Sequence, residues 1–169
     1  MPYQHYRLVL NLKTYKANTI SMATQRYAML LTEFCKITQL DEPEKLINTG
    51  ALSIDDLPVT IQYIADQDIE FIQFFIDIAE RPAQAEQCYR RLLEFNFLVH
   101  RYGSGLVCLE PGSDRISYSV MVKIVPELTG LALAEILDKA VAQACWVKEH
   151  YLSEQADEKA VSPQLSPLA

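Results

Sequence analysis

Apolar residues recur along this chain with two different periods, and the switches between those periods divide it into elements. Tyr27, Leu30, Leu31, Phe34 and Ile37 fall at helical spacing, which predicts an amphipathic helix over Ser21–Ile37 with Ser21 as its N-cap; Met22, Ala23 and Met29 sit partly outside that stripe. A loop through Asp41, Glu42 and Pro43 follows. The period then shortens to two, and Gly50–Ile54, Val59–Ala65 and Ile69–Ala79 read as strands. They are split by Asp55-Asp56 with Pro58 and by Asp66-Gln67-Asp68, connections short enough for an antiparallel meander. In the third strand Ile72, Phe74, Ile76 and Ile78 are uniformly apolar and should face the helices, whereas Phe71, Gln73, Phe75 and Asp77 share the other face. Two phenylalanines beside Gln and Asp describe a half-exposed apolar surface. In the second strand Val59, Ile61, Tyr63 and Ala65 look inward, and Thr60, Gln62 and Ile64 outward.

Arg81 to Tyr102 returns to helical spacing with more apolar surface than one side of a helix can hide. Pro82 suits the first turn and Gly103 the position past the end. Ala85, Cys88, Leu92, Phe95 and Val99 form one stripe, and Tyr89, Leu93, Phe97 and the offset Leu98 widen it. A chain of 169 residues builds only a modest core, so one face belongs on the sheet and the other on a second copy, making a homodimer with Tyr89, Leu93, Phe97 and Leu98 in its interface. Ser104–Glu110 and Arg115–Val125 are strands joined by the turn Pro111-Gly112-Ser113-Asp114. Ile116, Tyr118, Val120, Val122 and Ile124 form the core face of the second, and Arg115, Ser117, Ser119, Met121 and Lys123 the wet one. A long helix over about Leu128–Leu152 carries Leu133, Ile136, Leu137, Ala140, Val141, Ala144 and Val147 on its stripe. The expected class is α+β, helices on one face of an antiparallel sheet in the order α-β-β-β-α-β-β-α. Residues 1–20, where Tyr6, Leu8, Leu10 and Leu12 alternate, read as an extension that is an extra strand, a mobile arm or an over-long start. Residues 21–153 form the domain, and the Pro-containing polar tail 154–169 reads as disordered.

Composition narrows the partners. A net charge of −7 and a pI near 4.9 disfavour nucleic acid and anionic membrane, which need clustered Lys and Arg. No run reaches the length of a membrane span, and the opening lacks the apolar core of a signal peptide; a cytoplasmic location is expected. Cys35, Cys88, Cys108 and Cys145 lie far apart in apolar segments, as buried free thiols do. Five glycines supply neither a phosphate loop nor a dinucleotide fingerprint. Gly103-Ser104-Gly105 is no nucleophile elbow, because it joins a helix to a strand. His5, His100 and His150 have no second ligand at metal spacing. The aspartates at 55, 56, 66 and 68 suit solvated turns. Neither enzyme, metal nor cofactor is expected.

The chain resembles the class I type III secretion chaperones, the Tir-chaperone-like family, over about residues 21–153. The resemblance rests on an opening helix MATQRYAMLLTEFCKITQL, a central AQAEQCYRRLLEFNFLVHRYGSGLVCLEPGSDRISYSVMVKI and a closing LTGLALAEILDKAVAQACWVKEHYL. The helix–Gly–strand–turn–strand passage is its most specific part. The 20-residue extension departs from the family pattern. The resemblance implies a homodimer, formed largely through the helix over Arg81–Tyr102 and a neighbouring strand, that holds the N-terminal segment of a secreted effector extended without ATP. Apolar pockets would take the effector's side chains, and Met22 and Met29 of the first helix with Ile64, Phe71, Phe75 and Met121 of the sheet are the candidates. A non-secretion, YbjN-like adaptor or sensor of the same shape is the alternative.

Overall fold

A computed structural model of the chain describes residues 6–8, 22–66, 69–82, 84–100 and 105–152. In chain order these form β1 (Tyr6–Leu8), α1 (Met22–Thr38), α2 (Pro43–Thr49), β2 (Ala51–Ile54), β3 (Leu57–Asp66), β4 (Ile69–Ala79), α3 (Ala85–Val99), β5 (Leu106–Leu109), β6 (Ile116–Lys123) and α4 (Gly130–Val147), which runs into a π-helical turn over Lys148–Leu152. The strands make a six-stranded sheet of order β1-β2-β3-β4-β6-β5. The chain packs as two compact units, Met1–Phe75 with Met121–Asp138 and Ile76–Val120 with Lys139–Ala169.

In the first unit, Asp55 and Asp56 both take positive φ, 48° and 63°. They close a two-residue hairpin with Ile54 opposite Leu57 and Leu52 opposite Val59. On the far side of β2, β1 pairs antiparallel, Tyr6 with Ile54, Arg7 with Ser53 and Leu8 with Leu52. Leu30, Leu31 and Phe34 of α1 are wholly buried, and the Tyr27 ring meets that of Tyr63 at 5.3 Å, which fixes Tyr63 on the helix side of β3. The Tyr63 hydroxyl donates to Glu70 at 2.7 Å. Polar side chains of α1 hold the approach to α4: Arg26 donates to the carbonyls of Pro126 and Leu128 at 2.9 and 2.7 Å. The Glu33 carboxylate accepts the Gly130 N–H at 3.0 Å, at the helix end where a negative charge is favoured.

In the second unit, Cys88, Leu92, Phe95 and Val99 are the buried stripe of α3. Phe95 packs against Trp146 and Tyr151, centroids 6.2 and 5.2 Å away. The β5–β6 hairpin sets Leu106 opposite Ser119, Val107 opposite Tyr118, Cys108 opposite Ser117 and Leu109 opposite Ile116. Its tip closes with the Glu110 N–H donating to Arg115 at 2.9 Å.

The α+β class and the order of the main elements are as the pattern predicts, and so are the faces of β4: Ile72, Phe74, Ile76 and Ile78 are buried, and their odd-numbered neighbours from Phe71 to Asp77 half-buried. Several expectations need correction. The segment after Asp41 is α2 as well as loop; Pro43 stands in its first turn, and one buried residue, Leu46, is too few to make a visible stripe. Of the readings given to residues 1–20, Tyr6–Leu8 matches the extra strand, and it pairs with β2. α3 starts at Ala85 behind the N-cap position Gln84, so Pro82 precedes the helix and does not stand in its first turn. Ala65 is exposed, because β3 reaches its open end there. The Ser21 cap, the turn residues Gln67 and Asp68, Gly103 and the 154–169 tail lie outside the described residues.

Gly50 ends α2 at φ 61°, donates to the Leu46 carbonyl at 2.8 Å and accepts from the Ile61 N–H at 2.6 Å; an added Cβ would collide with the Ile61 carbonyl. Gly112 also has positive φ, 80°, but open space around it. Gly50→Ala is therefore expected to cost about 2 to 4 kcal/mol, combining the left-handed conformation with a backbone clash, and Gly112→Ala only about 1 kcal/mol. Urea midpoints of the two variants test the difference.

Candidate binding surfaces

In the first unit the alternation of β3 and β4 leaves Ile64, Phe71 and Phe75 half-buried on the face away from α1, because their neighbours Tyr63 and Glu70 are bonded to each other on the helix side. Met121 is 57% exposed, next to the buried Val120. The Ile124 N–H donates to the Glu70 carbonyl at 2.8 Å, which draws that end of β6 beside the Phe71 end of β4. Three strands thus supply soft apolar groups to one open face, with Thr60, Gln62 and Gln73 between them. Met29 is 49% exposed but stands on α1, in the helix layer and not on that face. Met22 begins α1, and its side chain lies outside the described residues.

The second unit treats its part of the same β4 face differently. Asp77 accepts from the Arg115 guanidinium at 2.9 Å and from the Ser117 hydroxyl at 2.7 Å, and the Cys108 thiol donates to the Ser117 carbonyl at 3.5 Å. Ser117 is consequently 3% exposed, a correction to the expectation that every odd position of β6 is wet: a buried hydroxyl is tolerated there because it is hydrogen-bonded. Burial pushes the Cys108 thiol up, with the Asp77 carboxylate adding to the effect. Burial also raises Cys88 against the opposing pull of Arg91, and pushes Cys35 up to about 11. Thiols so shifted stay protonated and unreactive near neutral pH. His100 contacts the Phe97 carbonyl at 2.7 Å, and His150 stacks on Trp146 with centroids 4.5 Å apart. Among the described residues no three His, Cys, Asp or Glu side chains gather as a metal site, and no helix is long and apolar enough to cross a membrane.

α3 presents the second apolar surface. Leu93 and Phe97 are 68% and 69% exposed, one turn apart, and Leu98 is exposed beside them. Tyr89 is half-buried, its hydroxyl shielded and without a hydrogen-bond partner. The alternation of β5 was too short to flag Leu106 and Leu109, which are also exposed. Leu109, opposite the core residue Ile116, points into the layer that α3 occupies. Helix and strand are tied by Asn96, whose side-chain oxygen accepts the Val107 N–H at 2.8 Å while its NH2 donates to the Val107 carbonyl at 2.9 Å. Because β5 is the last strand of the sheet, this amide takes the place of a missing neighbour strand.

A helix-covered antiparallel sheet with an open face and an apolar outer helix defines a binding protein by its surfaces. Residues 29–146 match the Tir chaperone protein (CesT) family, well over half of the chain, and the chain belongs to that family. Its fold is similar to a chain in the crystal structure of the ExsC-ExsE complex, at 17% identity and a TM-score of 0.59, over 76% of this chain and 95% of that one. It is also similar to a chain in the structure of the HopA1-SchA chaperone-effector complex, at 14% identity and a TM-score of 0.56, over 78% and 99%. Among curated proteins nothing matches.

Asn96→Ala is expected to cost about 1 to 3 kcal/mol, since it strips both partners from an edge-strand peptide. Faster amide exchange at Val107, with exchange at Ile116 less affected, would mark the loss as local.

Proposed function

We propose that this protein is a type III secretion chaperone. It binds the N-terminal segment of a cognate secreted effector in extended form and keeps it soluble and ready for secretion. It works in the cytoplasm, as a homodimer, without catalysis and without a cofactor. Family membership supports the class, and the two structural relatives come from complexes, one titled a chaperone-effector complex. The observation that carries the reading is the face holding the half-buried Ile64, Phe71 and Phe75 and the exposed Met121: apolar groups left open to solvent, while the other face of β4 is buried at Ile72, Phe74, Ile76 and Ile78. Flexible methionine and flat aromatic side chains accept client residues of varied shape. Met22 and Met29 of α1 would add contacts where a wrapped client passes the helix layer. Residues 21–153 serve as the binding domain.

The dimer forms through Tyr89, Leu93, Phe97 and Leu98 of α3. In light scattering at micromolar concentration the unmutated protein should have the mass of two chains, and Leu93→Asp or Phe97→Asp should lower it by placing an unpaired charge in a desolvated interface. A monomer mass for the unmutated protein would end this assignment.

The client face is tested by comparing two sets of variants. Phe71→Ala with Phe75→Ala removes aromatic anchors, each worth about 1 to 3 kcal/mol of binding at a packed site, and should leave the urea midpoint nearly unchanged. Phe74→Ala or Ile76→Ala should instead cost about 2 to 5 kcal/mol of stability through a cavity. Pull-down of the effector from the native host reads the binding. An odd-face double variant that stays folded and retains the effector normally would move the client site elsewhere.

A further inference from the structure

We infer that β1 is a built-in placeholder: Tyr6–Leu8 occupies the edge of β2 that an extended client segment takes, and the two exchange. β1 lies outside the family match, which starts at residue 29; without it, β2 would be the outermost strand on that side of the sheet. An exposed strand edge is a template for another strand. β1 covers it with three residues, Tyr6 opposite Ile54, Arg7 opposite Ser53 and Leu8 opposite Leu52, a ladder shorter than most strands. Its partners Leu52 and Ile54 are 1% and 3% exposed, so β2 is held in place by the core, and vacating its edge leaves outward backbone groups unpaired, a penalty that favours refilling by another strand. The occupant is defined by what it replaces: an antiparallel extended segment pairing at Leu52–Ile54, with apolar residues at alternate positions as in Tyr6 and Leu8. The opposite end of the sheet does not compete, because Asn96 already satisfies the Val107 N–H and carbonyl on β5.

This proposal rests on the chaperone reading only for the identity of the occupant. A placeholder that fills the edge nine-tenths of the time weakens client binding about tenfold. The probe is a fluorescent peptide of residues 4–12, QHYRLVLNL, titrated into the full-length chain. In one variant, Tyr6→Pro, Arg7→Pro and Leu8→Pro together abolish pairing, and the peptide should bind about tenfold tighter. In a second, Arg7→Cys with Ser53→Cys places thiols on opposed residues, a separation a disulfide spans. Oxidation should lock β1 down and abolish peptide binding, and reduction of the same sample should restore it, so folding is controlled for. Peptide binding that ignores both the prolines and the lock, or no binding in any form, overturns the proposal. Mass in light scattering that depends on the lock would make the occupant the same strand of a second copy, and would overturn the assignment to a client. Effector capture that persists while the peptide ignores the lock sinks the placeholder alone. Lock-dependent peptide binding without effector capture sinks the chaperone reading and keeps the exchange.

Discussion

A strand can bury only every second side chain on a given face, and the structure depends on how β4 uses that limit. Its even residues supply core to both units, Ile72 and Phe74 to one, Ile76 and Ile78 to the other, all at 2% exposure or less. With one face committed to packing, the other is free to vary without disturbing the fold. It varies by unit: Phe71 and Phe75 stay apolar and open, whereas Asp77 is fixed by Arg115 and Ser117. Truncating an even-face residue therefore opens a cavity in one of the two cores, whereas the half-buried Phe71 and Phe75 fill neither.

α3 meets a stricter demand, since one helix must fill a core, support an edge strand and leave an apolar surface outside. Helical geometry separates the tasks by angle. Cys88, Leu92, Phe95 and Val99 point inward, Asn96 reaches Val107, and Leu93 and Phe97 point out. The Asn96 side chain sits where a strand would otherwise leave an N–H and a carbonyl unpaired. The exposed Arg90–Glu94 pair on the same helix adds little to stability.

How far the sequence revealed this depended on the length of each pattern. Eleven residues of strict alternation in β4 are unambiguous, and the face they leave open could be read directly. α3 declared its apolar excess in the same way. α2 was hidden by brevity, since seven residues cannot establish a period; the alternation at Tyr6 and Leu8 was legible, but its pairing with Leu52–Ile54 is a long-range fact with no local signal. Pro43 and Gly50 did bracket α2 in the sequence, as a first-turn proline and a left-handed terminator do. Ser117 was misjudged for another reason. Its burial comes from a carboxylate forty residues away at Asp77, a partner that alternation cannot announce. Met29 lay near the edge of a helical stripe, and only the packing of Tyr27 on Tyr63 shows which layer that stripe occupies.

A protein that holds an extended segment of a partner faces a conflict between availability and solubility. An open strand edge with apolar residues beneath it would recruit clients quickly, and would recruit other copies as readily. Covering that edge with a short strand of the same chain would resolve the conflict through the exchange inferred for β1: the backbone pairing at Leu52–Ile54 passes from one strand to the other, and a longer segment adds pairing beyond it. Selectivity then comes from that extra reach. A competitor that pairs through three residues gives way to a segment that pairs through more.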